Sequence, residues 1–572
     1  MFFHHHCRIG AFILALLLMT GCGRQATNQV AAAPTATPGP QPPAGATATP
    51  YAANAVGLPD GNPDFPDFPH GPLAADIPHD VDNLFLLNNQ DNEVRQRLFD
   101  ILSWQSFIAL SWPVDGQGAP QSDFTDPGAP TWSTWQPSTI LLRQAGLDPG
   151  PWNEANTSAA DSCPANRRQL RNLDVASTNR ANLLDTATQA DAKKLWDQNG
   201  NLVYYEILLN QPEYDYFRSE DLYNLDGQAS FYQNQETLYL PTGKYWDNSG
   251  QHKNTDPAEE GVIELKLAWK IIDPAQDIAE RFYVETVCLL DQTGHWQQKQ
   301  VGLVGMHIAH RTFSAAKWVW STFAQVDNTG VDPAAVSHYA QEGKTLKPSF
   351  YDPTCQSCPP NTVTVRAGIS RTQVVPVVAS LPAIEPLNQQ LQQRLQAAGS
   401  VWQYYRLIGT QWPPDPGAAG PPQPLPATLT NPVMETYIPV DKASCMNCHA
   451  AAALAAQVER QSDGSAQISW APAGSADFSF LLMKAQSQQL LCQLDSKAAT
   501  PVIANLPTGY NPSLLSATDP LRQALAACQV TLSSEATVTK SLARLNTWQI
   551  SDQAQGYVIR EVQGALTIYR NE

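Results

Sequence analysis

The chain has 572 residues, 43% of them hydrophobic, and a formal net charge of −18. That length exceeds a single small domain, and the composition is that of a globular protein. The acidic balance argues against a nucleic-acid binder, because phosphates need a basic face.

The chain begins with a targeting segment. Arg8 and His4, His5 and His6 precede an apolar run from Ile9 to Met19. This core is too short to span a bilayer as a stable helix. It ends in M-T-G-C, with Gly21 before Cys22. That pattern predicts a bacterial lipoprotein signal over 1–21, with lipid on the Cys22 thiol; a plain secretory signal cut elsewhere is the alternative. Residues 22–60 read as a tether, rich in Pro, Ala and Thr, unable to bury a core. Both readings put the rest of the chain outside the cytoplasm, and the lipoprotein reading holds it to a membrane only by its lipid. There, the remaining cysteines are expected as disulfides or cofactor ligands.

The folded part is expected as α+β, with a β-rich antiparallel centre and a more helical C-terminal region. Its expected divisions are 61–345, 346–430 and 431–572. Asp91 to Leu110 has helical spacing, with Val94, Leu98, Ile101, Leu102 and Trp104 near one face, and Pro113 stops it. From Leu202 to about Trp320, β-branched and aromatic runs predict an antiparallel sheet or sandwich. In G-V-I-E-L-K-L-A-W, Ile263, Leu265, Leu267 and Trp269 point one way, and Glu264 and Lys266 the other. A Pro-rich region then holds P-T-C-Q-S-C-P-P, and a Gln-rich helix is expected over Leu387 to Ala398.

Two C-x-x-C pairs follow different rules. Cys355 and Cys358 precede Pro359, which cannot ligate a metal, so a structural disulfide is favoured, within the pair or to other cysteines. Cys492 and Cys528 flank one stretch and are a further candidate pair, which leaves Cys163 and Cys288 over. Cys445 and Cys448, in D-K-A-S-C-M-N-C-H-A, are followed at once by His449. Outside the cytoplasm, C-x-x-C-H is the attachment signature of c-type haem. Two residues between the thiols let one turn of chain reach two vinyl groups on one porphyrin edge, and the next histidine ligates the iron. Random placement of the 10 cysteines and 11 histidines yields about 0.003 such runs. A zinc site would need further ligands at close spacing. The run A-A-A-A-L-A-A-Q-V-E-R after His449 is expected to continue a helix.

The opposite axial position separates a closed electron carrier from an open enzyme site. Met483, downstream in D-F-S-F-L-L-M-K-A, is one candidate ligand. His307 and His310, in G-M-H-I-A-H-R-T, are others, and strand alternation puts them on opposite faces. Met434 is a weaker one.

L-F-D-I-L-S-W-Q-S-F-I-A-L-S-W-P, L-V-G-M-H-I-A-H-R-T with W-V-W-S-T-F-A-Q-V-D-N, and M-E-T-Y-I-P-V-D-K-A-S-C-M-N-C-H-A with D-F-S-F-L-L together resemble the large bacterial monohaem "cytochrome c family" proteins. The resemblance runs from about Leu98 to Met483. It implies one covalent haem on Cys445 and Cys448, ligated by His449, and no particular substrate. The expected function is electron transfer with a redox partner protein or a small-molecule donor or acceptor. The alternative is an oxidase- or peroxidase-like haem enzyme with His307, Arg311, Trp318 and Trp320 over an open iron face. A third reading is a surface binding module.

Overall fold

The computed structural model describes residues 73–570, except 89, 155–171, 174–192, 236–237, 245–258, 291–295, 316, 376–382, 416–421, 461–465, 496–519, 541–546, 553–554 and 563–564. The signal, Cys22 and the tether, with Cys163, lie outside the described residues. Gly57–Glu572 forms one compact unit.

A short hairpin pairs β1 (Pro113–Val114) with β2 (Ala129–Pro130). The centre is an eight-stranded sheet. Its strands are β3 (Gln136–Pro137), β4 (Asn172–Leu173), β5 (Val203–Leu209), β6 (Ile263–Ile271), β7 (Val284–Leu290), β8 (Trp296–His310), β9 (Val319–Gln325) and β12 (Tyr405–Gln411). The order is β12-β9-β8-β6-β5-β3, with β7 beside β8 and β4 beside β7. Every pairing is antiparallel except β4 with β7. The exposed hairpin β10 (Val363–Arg366) and β11 (Ile369–Thr372) stands apart. β12 comes from the region expected as a connector, yet it forms the edge of the central sheet beside β9.

One face of the sheet carries two helices. α1 (Asn83–Asn88) precedes α2 (Asn92–Leu110), which starts at Asp91, whose side chain accepts from the Glu93 amide. Ile101, Trp104 and Phe107 of α2 pack on Leu265, Leu267, Phe323 and Leu407. The Phe107 and Phe323 rings stack at 4.3 Å, and Trp104 meets Phe323 edge-on at 5.1 Å. The Gln-rich helix spans Glu385–Ala397 and buries Leu387, Leu391 and Leu395 at helical spacing on the same core. The alternation in β6 holds: Ile263, Leu265, Leu267 and Trp269 are all fully buried in this core.

Asp100 of α2 is buried under this layer, accepting from Gln96 Nε2 at 3.0 Å. Burial pushes its carboxyl up to about 7, against the opposing pull of its hydrogen bonds and Arg97. Between the ordinary value of 3.8 and about 7, the folded state binds the proton that the unfolded state has released. Stability therefore falls as pH rises through that window, by at most about 1.4 kcal/mol per pH unit, and levels off above it. The Asp100→Asn variant is expected to lack this slope in urea titrations across pH 4 to 8; equal slopes in both proteins would refute the assignment.

The opposite face is laid out in rows by the strand register. Leu209, Glu264, Ala309, Trp320 and Gln411 form one cross-strand row, and Ile207, Lys266, His307, Thr322 and Gly409 the next. Tyr205, Ala268, Gly305 and Ala324 form a third. The segment from Leu429 to Cys448 crosses these rows. A Cβ on Gly409 would meet Leu429, and one on Gly305 would lie 2.8 Å from Val433 and 3.2 Å from Met434. A side chain at either glycine would force these neighbours to shift. Asn431 Nδ2 donates to Thr322 Oγ1 at 2.8 Å and to the Phe323 carbonyl at 2.9 Å, and Tyr205 donates to the Val433 carbonyl at 2.7 Å.

Among its described residues, the C-terminal part is β-rich rather than more helical. β13 (Ala455–Arg460) pairs with β14 (Ala466–Trp470). β15 (Gln489–Asp495), β16 (Thr537–Lys540), β17 (Thr547–Asp552), β18 (Gln555–Val562) and β19 (Ala565–Arg570) make a five-stranded antiparallel sheet in the order β15-β19-β18-β17-β16. The alanine-rich run after His449 is thus not a continued helix. Ala452 to Ala455 are buried, the Ala455 amide donates to Gln228 Oε1, and Gln233 donates to the Ala456 carbonyl. These tertiary bonds hold the backbone extended and override alanine's weak helical preference. Among the described residues, no helix is long and apolar enough to cross a membrane.

Candidate functional site

Cys445–His449 is one short helix docked on the second sheet face. Ser444 caps it, its hydroxyl accepting from the Asn447 amide at 3.3 Å. Gln411, in the first row, accepts from the Met446 amide at 2.9 Å. Met446 is fully buried among Ala309, Trp318 and Trp320. The helix turn puts Cys445 and Cys448 three residues apart on one side. Both remain thiols and are half-buried. Burial raises the Cys445 thiol well above its ordinary range, with Glu435 adding to the effect.

The other described cysteines are oxidised. Cys355 and Cys358 join each other, with an S–S distance of 2.01 Å. Cys288 and Cys528 are each disulfide-bonded. The candidate pairing of Cys528 with Cys492 involves a side chain outside the described residues.

His449 is held from three sides. Its Nδ1 lies 2.8 Å from the Phe478 carbonyl, which can only accept, so Nδ1 carries the proton and Nε2 keeps its lone pair. The Trp320 indole packs on the ring at 4.2 Å between centroids, and Phe480 meets it edge-on at 5.2 Å. This enclosure pushes the imidazole down to about 4; Lys266 and His307 push the same way, and the Phe478 bond and Glu435 oppose them. At neutral pH the ring is a neutral base with one nitrogen to offer.

The loop that presents Phe478 is constrained. Asp477 and Phe478 both have left-handed backbones, with φ of 44° and 69°, which is uncommon for a phenylalanine. Asp477 pairs with Arg311 at 2.9 Å, and its carbonyl accepts from Trp318 Nε1 at 3.0 Å. Ser479 donates to the Glu264 carboxylate. Strained backbone persists where surrounding bonds over-determine it. Behind this loop, burial raises the Glu213 carboxyl well above its ordinary range, and the neighbouring Glu264 adds to it.

The structure separates the sequence candidates. His307 lies in the row beside Trp320, with its Nε2 3.5 Å from Glu435 Oε2. His310 faces the opposite way, fully buried, with Nε2 2.6 Å from the Glu260 carbonyl. Met434 is fully buried beside Gly305, and Met483 is half-buried in a 3-10 turn over Leu482–Lys484. Arg311 and Trp318 are engaged in fixing Asp477 rather than lining a binding face.

Gln411, Phe478, Glu435 and Lys266 were missed by reading the sequence. Phe478 acts through its backbone carbonyl and so leaves no side-chain signal. Gln411 and Lys266 come to the motif through strand register, and Glu435 through the turns that lead into it. Among the described residues, no three His, Cys, Asp or Glu side chains converge to hold a bare metal ion. No family model, curated protein or solved structure matches this chain.

Proposed function

We propose that this protein is an extracytoplasmic, lipid-anchored monohaem c-type cytochrome that transfers electrons, of the large bacterial kind that its sequence resembles. One observation carries the reading. Two thiols and an imidazole with its Nε2 lone pair unengaged stand on one short, buttressed helix. The donor set fits haem c: Cys445 and Cys448 would hold it by thioethers, and His449 would bind its iron through Nε2. The group would supply a one-electron Fe(III)/Fe(II) couple.

The rest of the site holds these residues still. The Phe478 carbonyl fixes the tautomer and ring angle of His449 and raises its basicity. Trp320 and Phe480 shield it from water. The disulfides at Cys288, Cys355, Cys358 and Cys528 fit an oxidising compartment. Electron transfer is favoured over the enzyme reading because Arg311 is bound to Asp477 and to the Leu240 carbonyl. It is therefore not available to polarise a bound oxygen species. The donor and acceptor are a redox protein or a small molecule.

The test is to produce the secreted chain in cells that attach haem and to denature it fully. A red chromophore that stays with the polypeptide, and gives a reversible reduced-minus-oxidised spectrum when refolded, is the expected result. A colourless chain with two titratable thiols at Cys445 and Cys448 would overturn the proposal.

A further inference from the structure

We propose that His307 is the second axial ligand of the iron that His449 binds, so that the site is a closed, bis-histidine one. This rests on the haem reading above and deepens it. His307 is placed by the sheet. It sits two residues along β8 from Ala309, on the same face, and Ala309 is paired with Trp320, which packs on His449 at 4.2 Å. His307 thus lies one row from the His449 stack, diagonal to Trp320, at a separation of roughly 7 Å between Cα atoms.

The imidazole has one long contact. Its Nε2 is buried and makes no aligned hydrogen bond. The nearest acid is Glu435, 3.5 Å away, and both side chains are 14% exposed. A 3.5 Å contact is at the edge of hydrogen-bond range, and a buried imidazole nitrogen so poorly served costs free energy unless something binds it. His307, Lys266 and Glu435 all act electrostatically on His449, and Glu435 and Lys266 also act on Cys445. The polar cluster and the attachment motif therefore share one space.

The competing ligands are accounted for by position. His310 is on the other face and committed to the Glu260 carbonyl. Met434 packs against Gly305 and Val433 in a separate apolar cluster. Met483 lies in the turn after Leu481, and the neighbours that enter the core there are Leu481, Leu482 and Ala485. Of these four, His307 carries a buried nitrogen without a hydrogen bond on the face that holds the motif.

The experiment uses the haem-loaded protein and reads spectra. Near-infrared magnetic circular dichroism of the wild-type ferric protein should give the band of two nitrogen ligands, and carbon monoxide should leave the reduced spectrum unchanged. His307→Ala should keep its covalent haem, turn high-spin and convert fully to a carbon monoxide complex. Added imidazole should restore the low-spin spectrum. A nitrogen–sulfur band in the wild type, a wild type that takes up carbon monoxide at once, or an unaltered spectrum in His307→Ala would each overturn the inference. The wild-type measurements decide even where the variant does not fold. A wild type with no covalent haem would instead refute the proposed function.

Discussion

With both attachment thiols replaced, in Cys445→Ala/Cys448→Ala, no haem is expected to stay with the denatured chain. Each single variant should keep it through one thioether at lower yield, since either thiol suffices to hold the group covalently. The fold should survive. Both side chains are half-buried, and losing one sulfur atom from such a position costs about 1 kcal/mol. Met446, Gln411 and the Ser444 cap still hold the helix. The check is visible absorbance of the chain after denaturation, beside far-ultraviolet circular dichroism of the native protein. Covalently held colour in the double variant would show that these thiols are not the attachment points.

Replacing Asp477 by alanine should destabilise the protein by about 3–5 kcal/mol, the usual cost of stripping one partner from a buried ion pair. Arg311 is 5% exposed and would keep its charge without the carboxylate at 2.9 Å. Alanine would also sit less easily than aspartate at φ 44°. Asp477→Asn tolerates that backbone, so its smaller loss would isolate the charge. The pair Arg311→Met with Asp477→Asn should recover part of it, because the lone buried charge is gone. Urea unfolding followed by tryptophan fluorescence is a suitable measure, since Trp318 and Trp320 flank the loop. A loss below about 1 kcal/mol for Asp477→Ala would mean that the pair does not hold the loop. The same loop carries the Phe478 carbonyl, so Asp477→Ala should also loosen His449. In the haem-loaded protein this would appear as a broadened, temperature-sensitive low-spin spectrum.

Both results turn on the same division of labour. Cys445, Cys448 and His449 are adjacent in the chain, and their spacing alone names their chemistry. The α2 helix and strands β5, β6, β7, β8 and β9 were equally legible, because hydrophobic period is a local property. The Gln-rich helix was found on the same ground, and its three leucines at four-residue spacing are the ones that reach the core.

The alanine-rich run after His449 is where local reading failed. Alanine favours a helix only by tenths of a kcal/mol per residue. The hydrogen bond from the Ala455 amide to Gln228, the one from Gln233 to the Ala456 carbonyl, and pairing with β14 outweigh that. Among its described residues, the C-terminal part consequently holds two sheets where more helix was expected. Likewise, P-T-C-Q-S-C-P-P left open which cysteines join, and geometry alone joined Cys355 to Cys358.

The sequence by itself determined the attachment motif, the mixed α+β class and the alternation that sends His307 and His310 to opposite faces. Only the tertiary structure decided which of those faces meets the motif. It brought Trp320, Gln411 and Lys266 beside the motif from strands more than 30 residues away in the chain, and turned the Phe478 carbonyl toward His449. The reason is physical. Spacing records what one turn of chain can reach, whereas strand register and a backbone carbonyl's direction are set by the packing of the whole sheet.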